Sequence, residues 1–306
     1  MEVLKVLFVN HGAERCGIQQ FGAMTYESLN KHPKMKVVYV DSQSDFNARI
    51  SDGFNVIVYN HHSLTMPWLD QGVIDMAGKT GARQFCVSGH DQYANYGGVT
   101  NIIPDPTGKD TDKNRHIGRI IPEYPVFEEE ISVPTIGSFG FGFSQKNFWK
   151  IADYVNISFE EAIVRVQIAP SHFGDPHGHL CGFVASSIRD RLKPSIKLEV
   201  FREFMSREDL VMWLSKNSVN VFPYADESGR GISSATDFAL AARRPIAISD
   251  SSMFRHLRDN QKILLDKNSL SSIILRGTEP LLDYYNSWTP FEISEKYFQI
   301  FNERPI

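Results

Sequence analysis

The chain has 306 residues, of which 42% are hydrophobic and 22% charged; the length points to two domains, and the composition supplies an ordinary globular core and speaks against disorder. A formal net charge of −4 excludes a global basic field that would draw nucleic acid or an anionic membrane. The three cysteines, Cys16, Cys86 and Cys181, are odd in number and far apart, which argues against a disulfide framework and for a reducing, cytoplasmic compartment. No apolar run approaches a membrane span, and the first ten residues are too short an apolar stretch for a secretion signal.

In chain order, the first half repeats a short β-branched run, a turn and a helical pattern. A strand is predicted over 3–9, then a glycine-containing loop over 10–17 and a helix over 18–29. Further strands follow over 36–40, 55–59 and 83–87, the last running into Ser88-Gly89-His90-Asp91. Strands alternating with helices predict parallel pairing with both sheet faces covered. From 93 to 119 the rhythm stops. Gly97, Gly98, Pro104, Pro106 and Gly108, with a charged stretch over 109–115, predict a long loop or insertion. Residues 123–130, next to Pro122 and including Pro125, read as a linker.

The pattern resumes with strands over 135–139, 162–168, 196–200, 219–222 and 245–248, and helices over 145–155, 180–191, 207–216 and 232–242. The tail, 281–302, carries Tyr284, Tyr285, Trp288, Tyr297 and Phe298 and reads as helical, packing its aromatics onto the body. The expected organisation is α/β: a domain over 1–128 and a second over 129–306, each Rossmann-like, with the parallel sheets facing a central cleft. Ligands of such sheets bind outside the carboxyl ends of the strands.

The strongest local signal lies over 219–252. A strand ends at Pro223, and a small-residue loop, Ser228-Gly229-Arg230-Gly231, leads into a helix expected to begin near Ile232 to Ser234. Free amides at a helix start, with the helix dipole, suit a diphosphate, and Arg230 is placed to pair with a phosphate. The same glycine spacing also describes a plain strand-to-helix turn that binds nothing. His90-Asp91 at a strand end reads either as a cap or as a hydrogen-bonding pair beside a reacting group. His61-His62, at the carboxyl end of another strand, either line a cleft or form a solvated turn. The segment from His172 to Cys181 holds His177, His179 and Asp175, but its spacing fits no standard zinc pattern and reads as a polar loop.

The segment over 219–252 resembles the donor-site motif of the family-four glycosyltransferases, which have the GT-B fold. That motif runs from an apolar strand through Pro223 and a Gly-x-Gly loop to a helix ending Phe238-Ala239-Leu240-Ala241-Ala242-Arg243-Arg244-Pro245. Two further segments are similar to the family. Ile136-Gly137-Ser138-Phe139-Gly140, followed by Lys146, resembles its glycine-rich strand exit and its diphosphate-gripping lysine, and residues 10–22 resemble its amino-terminal glycine loop.

The resemblance implies a metal-independent, retaining transfer of a hexosyl or pentosyl group from a nucleotide-sugar, a substrate rather than a cofactor, to a glycan or other hydroxyl acceptor. It assigns the amino-terminal domain to the acceptor and the carboxy-terminal one to the donor. Lys146, Arg230, Gly231, Ile232, Ser233 and Gly17 then grip the diphosphate. Ser138 and Asp237 serve the nucleoside, and His90, Asp91 and Glu227 stand beside the reacting sugar. The chain departs from the family at two places: Arg230 and Phe238 occupy the positions of its acidic pair, and Phe141-Gly142-Phe143 the position of an arginine. The departures give a second expectation, a non-catalytic nucleotide- or sugar-binding module of the same fold. A third is transfer to a modified nucleic-acid base, resting on Lys109, Lys113, Arg115 and Arg119.

Overall fold

The computed structural model describes residues 3–88, 95–172, 174–227 and 229–303. The chain divides into two compact units: Met1–Ile120 with Ser287–Ile306, and Ile121–Asn286. The boundary therefore falls earlier than the 128/129 division expected from sequence, and the last twenty residues belong with the first unit rather than the second.

The first unit is a six-stranded sheet in the order β2-β1-β3-β4-β5-β6. Its strands are β1 Leu4–Val9, β2 Met35–Val40, β3 Val56–Asn60, β4 Arg83–Val87, β5 Val99–Ile103 and β6 Asn114–His116, and all neighbours pair in parallel. The helices are α1 Gly17–Asn30, α2 Gln43–Arg49 and α3 Gln71–Gly78. β3 is buried along its whole length, as a central strand covered on both faces must be. Leu7, Val9, Ile57, Tyr59 and Cys86 join Phe46 and Met66 in one core cluster.

The predicted insertion over 93–119 is thus in part sheet. β5 and β6 extend the parallel ladder, Asn101 facing Asn114 and Ile103 facing His116. Glycines and prolines around two short strands concealed them from a pattern search.

The second unit is a five-stranded parallel sheet in the order β11-β10-β7-β8-β9. These strands are β7 Thr135–Phe139, β8 Ala162–Gln167, β9 Ile196–Phe201, β10 Val219–Phe222 and β11 Ile246–Ile248, with helices α4 Lys150–Ser158, α5 His179–Arg189, α6 Arg207–Ser215, α7 Ala235–Ala241, α8 Leu270–Arg276 and α9 Leu282–Ser287. Ile136, Val164 and Val166 meet Ile151, Val155, Cys181, Ile188 and Ile273 in its core.

The expected helix over 145–155 is broken. A 3₁₀ turn, Ser144–Lys146, ends at Asn147 in the left-handed region (φ 46°, ψ 37°) before α4 begins. Asparagine tolerates that conformation better than other non-glycine residues.

The tail is two helices rather than one. Pro290 cannot continue a helix but suits a helix start, so α9 stops and α10 Pro290–Asn302 begins anew, capped by the Thr289 hydroxyl on the Glu292 amide. α10 buries Ile293, Tyr297 and Phe301. Its Phe301 ring lies 4.9 Å from Phe85 of β4, and Glu295 holds Nε2 of the buried His32 at 3.0 Å. That burial returns the tail to the first unit.

Candidate functional site

In the second unit the chain runs from β7 to β8 and β9 on one side, then crosses back to β10 on the other side of β7. Strand order reverses between β7 and β10, and the crevice outside their carboxyl ends is where a ligand of such a sheet binds. The loops after these two strands carry most of the sequence-predicted residues.

Lys146 closes the loop after β7. Its Nζ donates to Tyr224 Oη, just past β10, at 2.6 Å, and lies 4.3 Å from the Tyr224 ring centroid. The two loops are also joined through the backbone, the Ala225 amide donating to the Gln145 carbonyl at 2.8 Å. Gly140 has φ +141°, a conformation that L side chains rarely adopt, and a Cβ there would stand 3.1 Å from Lys146 Nζ. Glycine at 140 therefore leaves the lysine its path. Tyr224 is 2% exposed and packs on Phe254, centroids 4.7 Å apart. The lysine is set against an aromatic wall.

After β10, Arg230 and Glu227 come together: Arg230 Nε donates to Glu227 Oε2 at 2.8 Å, both side chains partly exposed. The helix starts at Ala235, three residues later than the earliest expected position, Ile232. The Ser233 amide is committed to the Met253 carbonyl at 3.1 Å. Ser233 as a phosphate-facing amide is therefore corrected, because its N–H ties the loop to the neighbouring segment. Gly231 and Ile232 are buried beside it.

Ser138 sits in β7 fully buried, and its Oγ has no hydrogen-bond partner among the described residues. A buried hydroxyl of that kind costs about 1–3 kcal/mol and calls for an explanation. Asp237 is fully buried in α7. Phe238 is 5% exposed, its ring edge-on to Phe139 at 6.1 Å, so the position where the resemblance leads one to expect a carboxylate is part of the core. Phe141 and Phe143 form a tilted pair, centroids 6.0 Å apart.

In the first unit the order reverses between β1 and β3. The buried Asn10 and Asn60, one at the end of each strand region, join at 2.8 Å. Asn60 Nδ2 also donates to the Ile18 carbonyl and Asn10 Nδ2 to that of Gln19. They dock the first turn of α1 onto the sheet, and Gly17 opens that helix after an extended Cys16. Gly22 must be glycine here, since a Cβ would lie 2.2 Å from Asn60 Nδ2. His11 and His62 face each other at 6.3 Å, and His61 meets Tyr96 edge-on at 5.6 Å. Burial holds the His61 imidazolium below its ordinary pKa. His90 and Asp91 lie outside the described residues.

The remaining candidates resolve structurally. Asp175 accepts from the His179 and Leu180 amides at 2.8 and 3.1 Å, so its carboxylate caps the first turn of α5. Arg119 is 2% exposed with its guanidinium 4.4 Å from the Phe21 ring, and Arg115 pairs with Glu303 at 2.8 Å. Arg119 is thereby removed from any nucleic-acid surface, which leaves Lys109 and Lys113 exposed.

Sequence reasoning missed Tyr224, Asn10, Asn60, Ser252 and Arg255. The first three stand at strand ends, where position alone marks them. Arg255 contacts the Arg230 carbonyl at 3.0 Å from 25 residues away, and nothing local signals it.

Known structures share this fold. HepE of Anabaena, solved with UDP-glucose, superposes with a TM-score of 0.58 at 11% identity, over 96% of this chain and 94% of that one. The trehalose-6-phosphate synthase OtsA gives 0.61 at 9% identity, over 98% and 99%. An alpha-glucosyltransferase solved with UDP and a 13-mer DNA containing a HMU base gives 0.56 at 11%, over 99% and 100%. The fold is GT-B. No protein-family model matches the sequence, and no curated protein sequence does. No helix among the described residues is long and apolar enough to cross a membrane.

Proposed function

We propose that the chain is a glycosyltransferase that moves a hexosyl or pentosyl group from a nucleoside-diphosphate sugar to a hydroxyl acceptor. The observation that carries this is the meeting of Lys146 with the β10 loop at the switch point of the second sheet. That is where an open α/β sheet presents a nucleotide site. Transfer needs a departing diphosphate to be stabilised, and preorganised cations supply this. Lys146 and Arg230 take that role, with the amides of Gly231 and Ile232 beside them. HepE and the DNA-bound alpha-glucosyltransferase, with UDP-glucose and UDP respectively, support a UDP-sugar as the first donor to test. The buried, unpartnered Ser138 hydroxyl suits the nucleoside end. Gly17 and Asp237 keep their proposed contacts, and His90 with Asp91 remains the pair proposed beside the sugar. Three free, buried cysteines support a cytoplasmic setting.

The paired Glu227 and the core position of Phe238 favour a second reading, a module that binds the nucleotide without turnover. The test is a thermal-shift panel of nucleoside diphosphates and their sugars, followed by an assay of diphosphate release. A ligand at a hundredfold excess over its Kd stabilises by about 2.7 kcal/mol. A shift with release supports transfer, a shift with no release for any acceptor supports the binding module, and no shift with any nucleotide overturns both.

A further inference from the structure

We propose that residues 249–255, following β11, are the positioning element of the donor loop after β10, with Ser252 and Arg255 as its principal residues; the assignment rests on reading that loop as the donor site. Among its described residues, the donor loop, 223–234, contains no helix or strand. It includes two glycines, and Gly229 has φ +76°. Such a segment would sample many conformations on its own.

A row of side-chain contacts holds it instead. Ser249 Oγ donates to the Tyr224 carbonyl at 2.6 Å and Ser251 Oγ to that of Ala225 at 2.9 Å. The Ser252 amide donates to Asp226 Oδ1 at 2.7 Å, and its Oγ to the Glu227 carbonyl at 2.8 Å. Successive serines thus meet successive loop residues in register. Arg255 completes the row, its Nη1 bridging the carbonyls of Arg230 at 3.0 Å and Ser252 at 2.9 Å. The Arg230 backbone is fixed by Arg255 while its Nε is fixed by Glu227.

A guanidinium held at both backbone and Nε loses little freedom when an anion arrives, which is how preorganisation raises affinity. The exposed Asp226 carboxylate lies below the usual carboxylate range, first because the Ser252 amide donates to it. Ser252 and Arg255 act on the loop backbone, so they position rather than catalyse.

The experiment compares the full chain with Ser252→Ala, Arg255→Met and Arg255→Lys. Hydrogen exchange over 224–236 is followed without nucleotide, then UDP is titrated and UDP-glucose turnover measured. Ser252→Ala removes one hydroxyl, so it keeps the test open if Arg255→Met fails to fold. Exchange is expected to rise over 224–236 in Ser252→Ala and Arg255→Met. UDP should weaken by up to about tenfold, the upper size of one lost hydrogen bond to a neutral carbonyl, with KM moving more than kcat, and Arg255→Lys should recover part of both. Unchanged exchange overturns the proposal, whether affinity is also unchanged or is lost, the latter making Arg255 a direct phosphate contact. If the wild-type chain binds no UDP, the donor reading fails, and exchange alone decides whether the segment orders the loop.

Discussion

Replacing Lys146 with methionine keeps the apolar stem and deletes the cation. In the folded chain the loss is small: Nζ gives up one hydrogen bond to Tyr224 and its place at 4.3 Å from the ring. The ring contact contributes about 0.5–1 kcal/mol, and Tyr224 stays packed on Phe254. The loss on binding is larger. A charge-assisted hydrogen bond from a half-buried ammonium to a diphosphate oxygen contributes about 1.5–3 kcal/mol, or about 12- to 160-fold in Kd. Isothermal titration of UDP into Lys146→Met at neutral pH should show that weakening, with chemical denaturation shifted by no more than about 1–2 kcal/mol. An unchanged Kd in a folded variant would refute the placement of the diphosphate at this lysine.

Gly140→Ala tests the same site through the backbone. Its φ of +141° is strained for alanine by about 1–3 kcal/mol, and the new methyl would press on Lys146, so stability and UDP affinity should fall together in parallel denaturation and titration experiments. Phe238→Glu puts a carboxylate where the resemblance leads one to expect it, but places it 5% exposed beside Phe139. Burying that charge costs several kcal/mol, and urea unfolding should show a severely destabilised chain; a stable variant with gained activity would prove the position accessible. Burial pushes the Cys86 thiol up from 9.0 to about 12. Its folded pKa lies above the unfolded one, so its contribution is complete below about pH 9 and is lost as pH rises toward 12. Denaturant midpoints should fall across that alkaline window. At mildly alkaline pH a thiol reagent should label none of the three buried cysteines until the chain unfolds.

The alternation of β-branched runs with helical periodicity was enough to establish a parallel α/β architecture, because burial on both faces of a central strand imposes a continuous apolar run such as that of β3. The bounds predicted for Thr135–Phe139 and Val219–Phe222 coincide with β7 and β10. Lys146, Glu227 and Arg230 were legible only as candidates, Arg230 and Glu227 from a glycine loop after a strand and Lys146 from the resemblance to a donor-site motif. β5 and β6 were not, being short and set among turn residues. Nor was the start of α7, which depends on whether the Ser233 amide turns into the helix or out to Met253.

What the tertiary structure alone decided were the long-range partnerships. It set Lys146 against Tyr224, drew the tail back to the first unit through Tyr297 and Phe301, and buried Arg119 over Phe21. It also brought Arg255 under the donor loop. Sequence carries the local conformational and burial preferences of each segment, and these specify the elements. Which side chain meets which carbonyl across a strand-order reversal depends on the order and register of the strands, and no local pattern encodes that.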